Sequence, residues 1–165
     1  GGFMGLSLSM LIRLNYTEPY YNLISPEVYN YIITNHGLAM IFFFLMPVLI
    51  GGFGNYLLPL LLGLGDLNLP RLNALSAWLM LPSAVCLGIS MVKGAGVGWT
   101  FYPPLSSGGY SGGGADFLMF ALHLAGVSSI LGSLNFICTI YSCMESLVIL
   151  RLSILIWAYL FTSIL

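Results

Sequence analysis

The sequence predicts an all-α membrane protein, a polytopic bundle of transmembrane helices, and three observations carry that reading. Hydrophobic residues make up 59 % of the 165 and charged residues only 5 %, where a soluble domain carries about a quarter. Three uncharged runs follow one another: Val28 to Gly65, Leu72 to Val92 and Phe117 to Met144. Each reaches the ~20 residues that cross a hydrocarbon core of ~30 Å as helix. Between the runs lie short stretches rich in charge, proline and glycine, which read as turns at the membrane surface. Four basic and five acidic residues leave no basic stripe, so nucleic acid is excluded as a partner. Membrane lipid, apolar helices and cofactors remain.

The opening stretch, GGFMGLSLSMLI, is apolar, with small residues at Gly1, Gly2, Gly5, Ser7 and Ser9 that let helices approach closely. Too short to span, it reads as the second half of a helix whose first half is not represented. Arg13 follows, placed to snorkel toward the interface. Residues 14–27 are polar and aromatic, as an interfacial loop should be. Ser25, Pro26 and Glu27 then offer a cap, a first-turn proline and an acid at the positive end of the dipole.

Near the start of the first full span stands His36. Neutral imidazole has one N–H to give and one lone pair to satisfy, and a bare polar group in hydrocarbon costs several kcal/mol. Either the ring bonds to a neighbouring helix, or it is an axial ligand to a haem sheltered between helices. Further on, Pro47 and the glycines 51, 52 and 54 predict a kink and close packing.

The turn at residues 62–73 crowds Asp66, Asn68, Arg71 and Asn73 together, with Asp66 or Asn68 expected to cap the next helix. Lys93 ends the second span. The glycine-rich stretch 94–115 is expected to be turn-rich and anchored by Trp99, Phe101 and Tyr102. Along the third span, His123, Ser128, Ser129, Ser133 and Asn135 are expected to hydrogen-bond along or across helices. Ser128, Ser129 and Asn135 are expected to share roughly one helix face. Glu145 and Arg151 mark the last turn, and a further helix begins at Ile154. Cys86, Cys138 and Cys143, without CxxC spacing, read as small buried hydrophobes. Positive charges on the Arg71 and Arg151 loops agree with placing both inside.

Thr34, His36, Met40, Phe42, Phe43, Met46, Pro47 and the run Ile50 to Asn55 follow one another as TxHxxxM, FF, MP and IGGFGN. This order resembles the second transmembrane helix of subunit I of the haem-copper oxidases, in their cytochrome c oxidase form. The resemblance runs through nearly the whole chain but covers about the first third of a twelve-helix subunit. It implies that residues 1–165 are its N-terminal part, with helix I truncated, helices II to IV complete and helix V partial. Trp157, in IWAYLFTSIL, matches a tryptophan of that fifth helix.

By the same resemblance, His36 is an axial ligand of the low-spin haem a, with Met40 on the same element. Ser9 to Arg13 match an SLLIR-like element whose arginine hydrogen-bonds the haem formyl group. The GxGWTxYPPL element implies that Trp99 donates to a propionate of the oxygen-binding haem a3, with Tyr102 nearby. The match to GxxDxxxPRxN implies a proton-uptake mouth in which Asp66 takes protons while Asn73 and Asn55 orient the first waters. HLAGVSSILGSLNF implies a channel wall bearing Ser128, Ser129 and Asn135, and gives His123 no ligand role. Many relatives place an acidic residue where this chain has Asn15, so a cation site involving Glu18 is not expected.

The family also needs a second axial histidine, three histidines for copper B and a cross-linked tyrosine. With His36 and His123 alone, those groups must come from the rest of subunit I. The resemblance therefore implies a split or partial catalytic subunit that reduces oxygen with electrons from cytochrome c and pumps protons. Its implied partners are the remaining part of subunit I, the copper A subunit and other oxidase subunits. Its implied place is the mitochondrial inner membrane, with a bacterial plasma membrane as the alternative. The competing expectation is a noncatalytic scaffold or assembly fragment that binds no haem.

Overall fold

A computed structural model of the chain describes residues 1–17, 23–144 and 152–165. Glu18, Glu145 and Arg151 lie outside the described residues. Helix α1 is Gly2–Asn15, α2 is Pro26–Leu62, α3 is Pro70–Lys93 and α4 is Gly114–Met144. A single helical turn, Gly108–Ser111, precedes α4, and α5 is Ile154–Ile164. No strand occurs among the described residues. The three middle helices are each long and apolar enough to cross a membrane. At ~1.5 Å per residue they reach about 56, 36 and 46 Å. The polytopic all-α architecture expected from hydropathy is what forms.

Local signals set the ends of α2. Pro26 occupies its first turn, where its missing N–H costs nothing, but the Ser25 side chain makes no cap bond. The helix ends at Gly63 in the left-handed conformation (φ 70°), with Gly63 N–H donating to Leu60 O and Leu64 N–H to Pro59 O at 2.9 Å. That paired arrangement satisfies two orphan carbonyls and needs a residue without Cβ. The interruption expected around Pro47 takes the form of two π-helical stretches, Ile41–Leu45 and Pro47–Gly54. Pro47 has no N–H for the i−4 carbonyl, and widening the turn redistributes that deficit instead of breaking the helix.

The described residues form two compact units. The first comprises Gly1–Leu45 and Pro82–Leu124. In it α1 runs antiparallel to α2, with Gly2 against Phe44, Gly5 against Met40 and Tyr16 against Tyr29. Its core is Leu38, Ala39, Leu87, Ala95, Val97, Ala115, Leu118 and Ala121. Small residues let the backbone approach closely: a Cβ on Gly96 would stand 2.7 Å from the Tyr31 ring, and one on Gly114 2.6 Å from Gly94 O.

The second unit comprises Met46–Leu81 and Ala125–Leu165. Its core is larger-grained, built from Leu58, Leu62, Leu67, Phe136, Ile140, Cys143 and Ile156. Of the three glycines expected to pack, only Gly54 does: a Cβ there would stand 2.7 Å from the Phe136 ring. Gly51 has nothing within 4 Å and Gly52 only Pro47 O at 3.8 Å. Tyr159 meets Phe136 edge-on at 5.8 Å and donates its hydroxyl to Leu49 O at 3.2 Å. Cys143 is buried as expected, whereas Cys138 is exposed and Cys86 half-buried.

Candidate functional site

His36 lies half-buried on the α2 face that meets α1. Its Nδ1 is 2.9 Å from the carbonyl oxygen of Gly5. A carbonyl only accepts, so Nδ1 carries a proton, and in the neutral ring Nε2 then keeps its lone pair. Metal-ligating imidazoles almost always donate their other N–H in this way, to a carbonyl, a carboxylate or water. The two sequence readings of His36 are therefore compatible: a neighbouring helix takes one nitrogen and leaves the other free to ligate. A haem iron fits that donor, although no group of three metal-binding side chains exists among the described residues.

Gly5, Ser9 and Arg13 follow at intervals of four on α1, each about 40° round from the last, so that Gly5 is buried, Ser9 half-buried and Arg13 exposed. Met40 is one turn beyond His36 on α2. The structure thus brings Gly5, His36 and Met40 together and sets Ser9 and Arg13 further along α1, turning progressively outward. Arg13 is exposed in the last turn and makes no ion pair among the described residues. The loop end of the α1–α2 pair is fastened by Tyr29 donating to Tyr16 Oη at 2.8 Å, and by Ile24 N–H donating to Asn15 Oδ1 at 3.2 Å.

The glycine-rich loop meets a different side of α2. Thr34 is buried; its hydroxyl donates to Asn30 O at 2.8 Å and accepts from Gly98 N–H at 3.0 Å. Two residues along a helix is about 200°, so Thr34 and His36 point to opposite sides. Gly98 (φ 72°) and Phe101 (φ 54°) turn the loop so that Trp99 and Tyr102 stand 64 % and 72 % exposed. The indole and phenol are thus held outward and not beside His36.

The polar residues of the second unit form a separate group. Asp66 is exposed; one of its carboxylate oxygens accepts from Leu67 N–H at 2.8 Å. Neither Asp66 nor Asn68 caps α3. Instead Asn68 N–H donates to Thr139 Oγ1 at 3.2 Å, the Asn68 amide donates to Ser142 Oγ at 2.6 Å, and Leu69 N–H donates to Asn135 Oδ1 at 3.0 Å. Side chains of α4 thus take the backbone N–H groups just ahead of α3, and they strap the Asp66 loop in place. Asn68, Thr139 and Ser142 were not singled out for this, because an inter-helix strap leaves no periodic signal in the chain.

Asn73 is half-buried in the first turn of α3, and its carbonyl accepts from Ser76 Oγ at 2.8 Å. Ser128 donates across helices to Ser76 O at 2.6 Å. Asn55 donates to Gly51 O at 2.7 Å, and its buried Oδ1 has no partner among the described residues. Asn135 is fully buried, and its Nδ2 is likewise unpartnered. A buried acceptor and a buried donor left open are what ordered water satisfies. Ser129 departs from the expected face: it is exposed and bonds to Ala125 O on its own helix. Seven residues bring Ser128 to within about 20° of Asn135, but six leave Ser129 about 120° away. His123 is exposed and bonded through Nδ1 to Met119 O at 2.8 Å, again on its own helix.

Fold and polar residues together define a multi-pass helical membrane protein in which two imidazoles turn Nδ1 to a carbonyl oxygen, His36 to one on a neighbouring helix and His123 to one on its own, and in which buried amide atoms stay without a partner among the described residues. The family model described as Cytochrome C and Quinol oxidase polypeptide I matches residues 1–165, and the chain belongs to that family. It is 51 % identical over 142 residues to cytochrome c oxidase subunit 1 of Pecten maximus, covering 84 % of this chain and 30 % of that protein. The proteins of the same name from Candida albicans and Eremothecium gossypii are 43 % and 38 % identical over 98 % and 99 % of this chain. This chain spans 31 % and 32 % of those two relatives.

Proposed function

We propose that this chain supplies the N-terminal helices of the catalytic subunit of a cytochrome c oxidase in the mitochondrial inner membrane. His36 would be one axial ligand of its low-spin haem a. The observation that carries this reading is the Nδ1 contact with Gly5 O, which leaves Nε2 as a lone pair on a membrane helix. A haem held there supplies one-electron transfer, with its potential set by the axial ligand and surrounding hydrogen bonds. Ser9, Arg13 and Met40 would stand around it, with the exposed Arg13 guanidinium offered to a polar edge group of the macrocycle. Trp99 and Tyr102 would serve the haem a3 periphery, the indole as a donor that adds no charge.

In the second unit, Asp66 would collect protons, its carboxylate standing exposed in the turn between α2 and α3. Asn55, Asn73 and Asn135 would hold the first waters, with Ser128 keeping α4 against α3. The exposed Ser129 lies off this path. The remainder of subunit I would bring the second axial histidine and the copper B ligands; the copper A subunit and cytochrome c would deliver electrons. The test is His36→Ala in the assembled oxidase, read by the reduced-minus-oxidised spectrum. Loss of the low-spin haem band is expected; an unchanged band would overturn the ligand assignment and favour a haem-free scaffold.

A further inference from the structure

We infer that Gly5 is a positioning residue for the His36 imidazole, and that it acts through the absence of a side chain opposite Met40. This rests on the reading of His36 as a haem ligand and goes beyond it. Gly5 is buried on α1, and two things happen at that one residue. Its carbonyl takes the proton-bearing Nδ1 of His36 at 2.9 Å. Its Cα faces Met40 so closely that an added Cβ would run into the thioether sulfur and stand 2.6 Å from Cγ.

His36 and Met40 are one turn apart on the same face of α2, so the contact that excludes a side chain and the bond that holds the ring lie side by side. A methyl at residue 5 forces either Met40 to swing away or α1 to lift from α2. The bond stands at 2.9 Å, and a lift of more than about 0.3 Å takes it outside the ~2.7–3.2 Å range of N–H···O hydrogen bonds. The fastened Tyr16–Tyr29 and Asn15–Ile24 end of the helix pair directs the displacement toward Gly5. With its carbonyl withdrawn, the ring is free to rotate and to take the other tautomer, and Nε2 is no longer aimed. The obstruction belongs to the end of the Met40 side chain, because the Met40 Cβ stands at an ordinary 3.8 Å. Truncating Met40 therefore makes room for a methyl at residue 5.

The experiment is a double-variant cycle in the assembled holo-oxidase, comparing Gly5→Ala in the native and the Met40→Ala background. The readout is the low-spin ferric EPR g-values per haem, which report ring orientation, together with the amount of oxidase assembled. Gly5→Ala is expected to shift or broaden the g-values in the native background and to leave them unmoved relative to Met40→Ala alone in the second. If Gly5→Ala does not assemble, assembly is expected to return when Met40→Ala is added. Equal shifts in both backgrounds, no shift in either, or loss of assembly in both would overturn the proposal. His36→Ala separates the two failures: a low-spin signal that survives it rejects the ligand reading itself, whereas its loss alongside insensitivity to Gly5→Ala rejects only the positioning role.

Discussion

The two compact units differ in the grain of their packing and in how many buried amide atoms they leave open. The unit built from Gly1–Leu45 and Pro82–Leu124 packs on alanine and glycine, and its close approach lets Gly5 O, Thr34 and Ser83 pin polar groups across elements. The unit built from Met46–Leu81 and Ala125–Leu165 packs on leucine, isoleucine and phenylalanine, and leaves Asn55 Oδ1 and Asn135 Nδ2 open. Asn35 Oδ1, buried and open in the first unit, shows that the separation is not absolute. A fixed imidazole suits a ligand, which must hold one orientation, whereas open amides suit water, which must be held and released.

The sharpest break in that comparison after the loss of His36 is Asp66→Asn, which removes the exposed carboxylate. Proton uptake, measured as acidification stoichiometry in reconstituted vesicles, is expected to fall while the low-spin haem spectrum stays unchanged; a normal stoichiometry would remove Asp66 from the path. Next, Gly54→Ala places a Cβ 2.7 Å from Phe136 in the second unit. Overpacking of this kind costs about 1–3 kcal/mol, so the thermal midpoint of the assembled oxidase should drop. Gly51→Ala, with open space around residue 51, should leave it in place.

A smaller effect is expected from Thr34→Val, which keeps the shape but removes the acceptor for Gly98 N–H. The loss should be about 1–3 kcal/mol, visible as increased protease sensitivity of the loop bearing Trp99; an unchanged digestion rate would show that the glycine contacts with Tyr31 suffice. The smallest contrast is between neighbours: Ser129→Ala should change stability by no more than ~0.5 kcal/mol, as exposed positions do, while Ser128→Ala removes the bond to Ser76 O. Equal effects of the two would refute the assignment of Ser128 to the buried face.

Much of this was legible in the chain. The uncharged runs located α2, α3 and α4 within a few residues, and Ser25-Pro26-Glu27 marked where α2 begins. The TxHxxxM element singled out His36, and the resemblance around it named the family. Ser129 falls off the face shared by Ser128 and Asn135 because spacings of six and seven residues, close in number, lie about 100° apart around a helix. The strap on the Asp66 loop left no such local signal, because Thr139 and Asn135 take the N–H groups of Asn68 and Leu69 from some seventy residues away.

The sequence by itself determined which segments become membrane helices and where they stop, because hydropathy, proline and glycine act within one turn of the chain or along one uninterrupted run. Only the tertiary structure decided which nitrogen of His36 bears the proton, which of three glycines must remain glycine, and which buried amide atoms stay open. Each of those depends on what a distant segment places within hydrogen-bonding or van der Waals distance. No periodicity within a single helix encodes the neighbour that will be there.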